Sequence, residues 1–299
     1  MASSPFIRKC SFAGLQLLGS LPLFVARGLG SFFGATAWLI NGRERWVTEK
    51  NIERCLPNLS KEEQRKLAKQ SLKETGKVAL EMLLVWHRNQ AWLNKRVLKI
   101  DGEELLKNAV EAAKGVIVVG PHLGNWEVLG KCLPAYGDVS SLYQPPKQQW
   151  LEDFVKHSRE ASGAQLVPTT ARGVAALLGR LKKGQISGIL PDQVPDEGSG
   201  EYAPFFTLPA YTMSLIHGLI KRTGCEIIMA YACRVDGGFE IRLRKPDELI
   251  YSEDQQESLV GLNKSVEALV LECPEQYQWE YKRFKKQPVG GEGKAFYRR

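Results

Sequence analysis

From Glu103 onward, short apolar runs alternate with stretches of helical patterning. The order predicted is helix 103–113, strand 116–119, helix 125–134, strand 139–143, helix 150–162, strand 164–167, helix 172–183, strand 186–190, helix 212–223 and strand 226–233. Such alternation predicts an α/β fold, a mostly parallel sheet flanked by helices. Gly237-Gly238 joins Ile227–Val235 to Phe239–Leu243 as a hairpin, and helices around 253–272 and 276–285 close the chain. Upstream, Ser60 with Glu63 forms a capping-box pattern, and Leu67, Leu72, Ala79, Met82, Leu83 and Trp86 continue it as a long helix or helix pair. There is no internal repeat and no low-complexity tract.

The N-terminus breaks this pattern. From Phe12 to Ile40 the single charged residue is Arg27, and Pro22, Gly28 and Gly30 interrupt the apolar run. About 20 apolar residues suffice to span a bilayer, but an arginine near the middle is costly in lipid unless it snorkels or pairs. A spanning helix and two shorter interfacial pieces therefore both fit. Arg8-Lys9 would suit the basic region of a signal peptide, yet no A-x-A-like site closes the run. Residues 1–45 are thus read as an N-terminal membrane-associating segment ahead of a main domain, 46–299. Arg43, Arg45, Lys50 and Arg54 after the apolar run outnumber Arg8 and Lys9 before it, which places the main domain on the cytoplasmic side.

Composition narrows the partners. With 299 residues, 43% of them hydrophobic, the chain can bury a full core. Forty-one basic against 33 acidic residues leave +8, which suits phospholipid headgroups, a phosphorylated glycolipid or an acidic carrier protein. Nucleic acid is disfavoured, because no zinc finger or RNA-binding signature is present. Six cysteines (Cys10, Cys55, Cys132, Cys225, Cys233, Cys273) form no C-x-x-C pair, which fits unpaired thiols in a reducing compartment.

Candidate chemistry gathers after the apolar run Val116–Val119, in Gly120-Pro121-His122-Leu123-Gly124-Asn125-Trp126-Glu127. The carboxyl end of a buried strand is where ligands meet open α/β sheets. On one ideal helix His122 and Glu127 would stand about 140° apart and not meet. If His122 belongs to the turn, Glu127 lies in the first helical turn and reaches back to the imidazole, freeing the other ring nitrogen to take a proton. The plainer alternative is a helix start with Asn125 as cap and Glu127 complementing the dipole.

Asp192-Gln193 ends strand 186–190, again as a ligand-facing pair or as a loop cap before Pro195. Arg159 and Arg172 offer planar donor forks, or are solvated helix residues. Phe205, Phe206, Leu208, Tyr211 and Met213 suit a hydrocarbon-lining wall or core. Lys282, Arg283, Lys285 and Lys286 interleave with Tyr281 and Phe284, a composition for a membrane interface or phosphate groups. His87, His157 and His217 are weaker candidates for catalysis.

The His122–Glu127 segment resembles the H-x-x-x-x-(D/E) acyltransferase signature, in the version carried by the late acyltransferases of bacterial lipid A synthesis. Tyr143-x-Pro145 and Arg159-x-x-x-Gly163 resemble that family's second block. Arg172, Leu181-Lys182-Lys183-Gly184 and Asp192-Gln193 resemble the third, and Pro204-Phe205-Phe206 with Pro209-Ala210 the next. Pro274-Glu275-Gln276-Tyr277-x-Trp279 with Lys282-Arg283-Phe284-Lys285 resembles the C-terminal block. Two positions depart from the family: Thr207 stands where glycine tends to follow the paired phenylalanines, and Pro121 precedes the histidine.

The resemblance implies a membrane-associated O-acyltransferase at the cytoplasmic face of the bacterial inner membrane. It would move a fatty acyl chain from acyl carrier protein to a hydroxyl of a lipid A precursor. His122 would be the general base and Glu127 its orienting partner. Asn125, Arg159, Arg172, Asp192, Gln193, Phe205 and Phe206 would bind substrate, with no metal or other cofactor. Related enzymes acting on another glycolipid or a lysophospholipid, and an inactive lipid- or carrier-binding protein of the same fold, are the competing readings.

Overall fold

The computed structural model describes residues 14–143, 149–292 and 296–298. Arg8, Lys9, Cys10, Phe12 and Pro145 lie outside the described residues. Ahead of the sheet lie the long helices α1 (Leu23–Ile40), α2 (Arg43–Cys55) and α3 (Lys61–His87), with a short helical turn at Gln90–Asn94. Ser60 and Glu63 form the expected capping box, satisfying the first orphan N–H groups of α3.

The main sheet has seven strands in the order β1-β9-β8-β2-β5-β3-β4. They are β1 (Val97–Asp101), β2 (Val116–Val119), β3 (Val139–Tyr143), β4 (Gln165–Pro168), β5 (Ile186–Ile189), β8 (Glu226–Val235) and β9 (Gly238–Arg244). Strands β8, β2, β5, β3 and β4 are parallel; β9 folds back antiparallel on β8 and carries β1 parallel to itself. All four residues of β2 are buried, because a central parallel strand is covered on both faces. Its side chains divide by the strand period: Ile117 and Val119 join one core with Ile227 and Met229, Val116 and Val118 the other with Ile228 and Ala230. Six further helices flank the sheet: α4 (Glu103–Glu111), α5 (Trp126–Cys132), α6 (Gln149–Glu160), α7 (Ala171–Leu181), α8 (Leu215–Thr223) and α9 (Gln255–Glu272).

Three departures from the sequence reading have physical causes. The helix expected from 212 starts at Leu215, because β6 (Gly200–Phe205) and β7 (Leu208–Met213) form a separate antiparallel hairpin. Its two loop residues, Phe206 (φ 48°) and Thr207 (φ 67°), are both left-handed, as a two-residue hairpin requires. That is why a glycine would sit more comfortably where Thr207 stands. Strand β1 was missed, since its half-exposed sequence carries little pattern. The helix expected over 276–285 is absent. Pro274–Gln276 form a single 3₁₀ turn, and the chain beyond is held by tertiary bonds instead.

Helix α1 is packed along α3, and its 18 residues, of mean hydropathy 1.4, are long and apolar enough to cross a membrane. The contact is backbone to backbone: a Cβ on Gly30 or Gly34 would run into main-chain atoms of Gly76 or Leu72. Arg27 is not left in lipid. It donates to Glu81 Oε1 (2.6 Å) and to the carbonyls of Val235 (2.5 Å) and Gly238 (2.8 Å). The opposite side of α1 exposes Phe24 (77%), Phe32 (65%), Phe33 (56%), Leu39 (79%) and Ile40 (72%).

Candidate active site

The turn from β2 into α5 is pinned from three sides. Gly120 N donates to Ile189 O (3.0 Å) on β5, and Asn125 N to Ala232 O (2.9 Å) on β8. The C-terminal segment closes over it, with Gly124 N donating to Gln276 O and Gln278 N to His122 O, both at 3.1 Å. Gly124 has φ +62° and lies so close to the Ala232 carbonyl that a Cβ would not fit, so this position needs glycine twice over. Asn125 caps α5 by accepting from Val128 N (3.3 Å), and its Nδ2 donates to Glu81 Oε2 (3.2 Å). The helix-cap reading of Asn125 thus describes its geometry; its side chain is fully buried.

His122 meets a carboxylate, but it is Asp192. Val119 and Ile189 are register partners at the ends of adjacent parallel strands, and His122 and Asp192 each follow three residues later. Asp192 Oδ1 lies 2.8 Å from His122 Nδ1, and Oδ2 accepts from the His122 backbone N–H at 2.9 Å. Burial pushes the Asp192 carboxyl up. The facing imidazole and its two N–H groups outweigh that and hold it below the usual carboxylate range. An ionised carboxylate only accepts hydrogen bonds, so Nδ1 carries the proton and Nε2 presents its lone pair. Gln193 Nε2 approaches that lone pair at 3.2 Å while also donating to Gln278 Oε1. Trp126 packs edge-on to the imidazole, ring centroids 4.7 Å apart.

Glu127 does not reach back to His122. It is buried in the first turn of α5, where Arg159 on α6 grips it in a fork, Nε to Oε2 (3.1 Å) and Nη2 to Oε1. His122 lies in the turn ahead of α5, yet Glu127 is taken up by Arg159, and the register of β2 on β5 supplies Asp192 to the imidazole in its place. Burial tends to lower the Arg159 pKa, but Glu127 raises it above the ordinary value. Trp126, Glu127 and Arg159 line a largely apolar cavity together with Val118, Leu129, Leu133 and Leu166. Trp126 also lines a small cavity on the imidazole side, with His122, Gln278 and Glu280.

The family model for bacterial lipid A biosynthesis acyltransferase matches residues 6–286. The chain belongs to this family. It is 28% identical over 281 residues to the lipid A biosynthesis palmitoleoyltransferase of Escherichia coli (strain K12), covering 92% of this chain and 90% of the relative. It is 25% identical over 285 residues to the lipid A biosynthesis lauroyltransferase of the same organism, with the same shares covered. A lipid A biosynthesis acyltransferase of Haemophilus influenzae is 22% identical over 278 residues, 90% of this chain and 86% of the relative.

In this lipid A acyltransferase family member, the remaining candidate residues separate in space. His122, Asp192 and Gln193 form one cluster, and Glu127 with Arg159 an adjoining one. Arg172 is exposed in the first turn of α7 and lines neither cavity. Phe205 and Phe206 are buried among Tyr277, Trp279 and Phe284, in the core rather than along the apolar cavity. The basic C-terminal residues do not form an exposed helix. Arg283 is buried and donates to Tyr211 O (2.6 Å) and Thr212 Oγ1 (3.1 Å); Lys282 sits over the Trp46 and Tyr297 rings, and Lys286 over Tyr211.

Residues that sequence reasoning passed over complete the site. Glu81 on α3 is shared by Arg27, Arg234 (Nε to Oε1, 2.8 Å) and Asn125. Burial raises its pKa, and the two guanidiniums more than reverse that. Arg234 also donates to Glu74 (2.8 Å) and Gln276 (3.2 Å), so α1, α3, the central sheet and the C-terminal segment share one polar network. Of this network the sequence had singled out Arg27, Asn125 and, within the C-terminal motif, Gln276, but not the carboxylates or Arg234 that join them.

Proposed function

We propose that this protein transfers a fatty acyl chain from acyl carrier protein to a hydroxyl of a lipid A precursor, at the cytoplasmic face of the bacterial inner membrane. The observation carrying this reading is the His122–Asp192 pair, packed against Trp126, which in turn lines an apolar cavity. An imidazole with its proton fixed on Nδ1 is a general base, and an apolar cavity beside it suits the hydrocarbon of a thioester. The relatives named for palmitoleoyl and lauroyl transfer agree with such a donor.

In the reaction, Nε2 of His122 takes the proton of the acceptor hydroxyl as its oxygen attacks the thioester carbonyl. Asp192 holds the ring and stabilises the imidazolium that forms. Collapse of the tetrahedral intermediate breaks the carbon–sulfur bond, and the imidazolium returns its proton to the departing thiolate. No covalent enzyme intermediate is needed. Gln193 occupies the position the hydroxyl would take, so it yields its contact to the acceptor. Arg159 and Glu127 hold the polar rim where headgroup and hydrocarbon part.

Helix α1 supports the membrane part of the reading. Spanning the bilayer would carry α3, with its many lysines and glutamates, into hydrocarbon alongside it. Lying in the interface instead buries the exposed phenylalanines and keeps α3 wet. Purified full-length protein given acyl-carrier thioester and a lipid A precursor should yield a product heavier by one acyl chain by mass spectrometry. Absence of that product, with transfer to a lysophospholipid or another glycolipid in its place, would replace the acceptor assignment.

A further inference from the structure

A third cavity, of about 670 Å³, opens at the N-terminal end of α1, between α3 and the β8–β9 turn. Its lining includes Arg27, Lys77, Arg88 and Arg96, with Asp236 as the one acid. Two of these cations already have partners: Arg27 is paired with Glu81, and Lys77 with Glu74 (2.6 Å). Arg234 shares the same two carboxylates, so that buried group keeps one positive charge in excess.

Arg88 and Arg96 add to the excess. Arg88 donates to the carbonyls of Ser20 and Leu21, and Arg96 to that of Gly237 (3.2 Å). Carbonyl dipoles leave the formal charge in place, and Asp236 offsets only one unit. Among the described residues, Arg88 Nε is moreover buried with no hydrogen-bond partner. A buried guanidinium N–H without an acceptor is costly, and an incoming oxyanion would satisfy it.

The lip of the cavity is apolar. Phe24, 77% exposed, lines it and begins the uncovered face of α1. Cationic forks next to an exposed hydrocarbon-seeking strip describe a receptor for an amphiphile with an anionic head. A phosphate offers several acceptor oxygens to more than one guanidinium, which a fatty acid carboxylate does less well. The cavity is also far larger than inorganic phosphate alone requires.

We propose that this cavity binds the phosphate of a lipid whose head carries net negative charge, uncancelled by a cation such as choline, with the attached acyl chains lying along α1. The site serves the membrane reading above but is measured by binding without turnover, so the two fail separately. The probe is flotation of the full chain with vesicles of phosphatidylcholine, alone or with about a third phosphatidylglycerol. Each lost charge should weaken binding to the mixed vesicles about fivefold, so Arg88→Gln with Arg96→Gln should cost about twenty-five-fold. Asp236→Asn, at an exposed position, should strengthen it about fivefold, a gain that misfolding cannot produce. Binding to phosphatidylcholine alone should not change in either variant.

An equal loss in Lys99→Gln with Lys114→Gln, two exposed lysines that do not line the cavity, would overturn the proposal in favour of a diffuse surface charge. Displacement by inorganic phosphate as effective as by short-chain phosphatidylglycerol would overturn the lipid assignment. Two results place a supported site. A raised acceptor KM in the double arginine variant, vanishing with a dephosphorylated acceptor, assigns the phosphate to the acceptor. An unchanged KM with weakened vesicle binding assigns it to a bilayer phospholipid.

Discussion

Asp192 holds His122 at two points, the ring Nδ1 at 2.8 Å and the backbone N–H at 2.9 Å. One carboxylate therefore sets both the tautomer of the imidazole and the position of the turn that carries it. His122→Ala should lower acyl transfer by roughly 10² to 10⁴, the usual worth of a general base, with an unchanged circular dichroism spectrum and Tm near wild type. Near-normal turnover of the folded variant would remove His122 from the mechanism.

Asp192→Asn tests the tautomer. The amide can donate to Nδ1, which moves the ring proton to Nε2 and blocks the base. Transfer should fall by a factor comparable to His122→Ala. Transfer by the folded variant at the wild-type rate would leave Asp192 with a purely structural role.

Glu127 and Arg159 form a forked pair, Glu127 buried and Arg159 partly so. Removing one partner of a buried pair costs about 3–5 kcal/mol, an upper bound here because Arg159 keeps some solvent. Glu127→Gln and Arg159→Lys should each lower Tm and transfer, and the double variant should lose less than the sum, showing their coupling. Arg172→Lys should leave kcat and KM unchanged, since its side chain is exposed and lines neither cavity. Equal effects at Arg159 and Arg172 in a transfer assay would contradict this placement.

The Glu81 network gives the fold an acid limit. Glu81 titrates below its ordinary value in the folded chain, so its contribution is fully present above the unfolded carboxylate pKa. It is lost as pH falls through the lower folded value. Stability measured by denaturant melts should therefore decline from about pH 4.5 downward. Glu81→Gln should be less stable at neutral pH and show a shallower decline. A parallel offset at every pH would mean that Glu81 titrates no differently on folding.

Deleting α1 would uncover the glycine groove of α3 and strip Arg27 from Glu81, so truncation confounds attachment with stability. Phe32→Ser with Phe33→Ser acts on the exposed face alone. Membrane partitioning should fall at least tenfold, on the scale of roughly 1.5–3 kcal/mol for each phenylalanine fully withdrawn from water, while Tm stays unchanged. Unaltered partitioning would assign attachment to another surface.

Much of this protein was legible in one dimension. The alternation after Glu103 named the α/β class and most core elements to within a few residues, because buried strands and amphipathic helices impose their periods locally. It also located His122 and Asp192, each at the end of a strand. What it could not give was their adjacency. Glu127, near in sequence, was expected at the imidazole; Asp192, seventy residues away, is there, because β2 and β5 are neighbours in the sheet. The same limit explains the aromatic and basic C-terminus, whose backbone is shaped by contacts with the turn at His122 rather than by helical propensity.

Local chemistry therefore determined the elements, the strand-end histidine, the capping box at Ser60 and the apolar face of α1. Tertiary structure alone decided strand order, the partner of each buried charge and the role of Arg27, which the sequence showed only as a cost in lipid. The physical reason is that periodicity and capping act within a few residues along the chain. Ion pairs, register and cavities arise between segments whose separation in sequence carries no record of their distance in space.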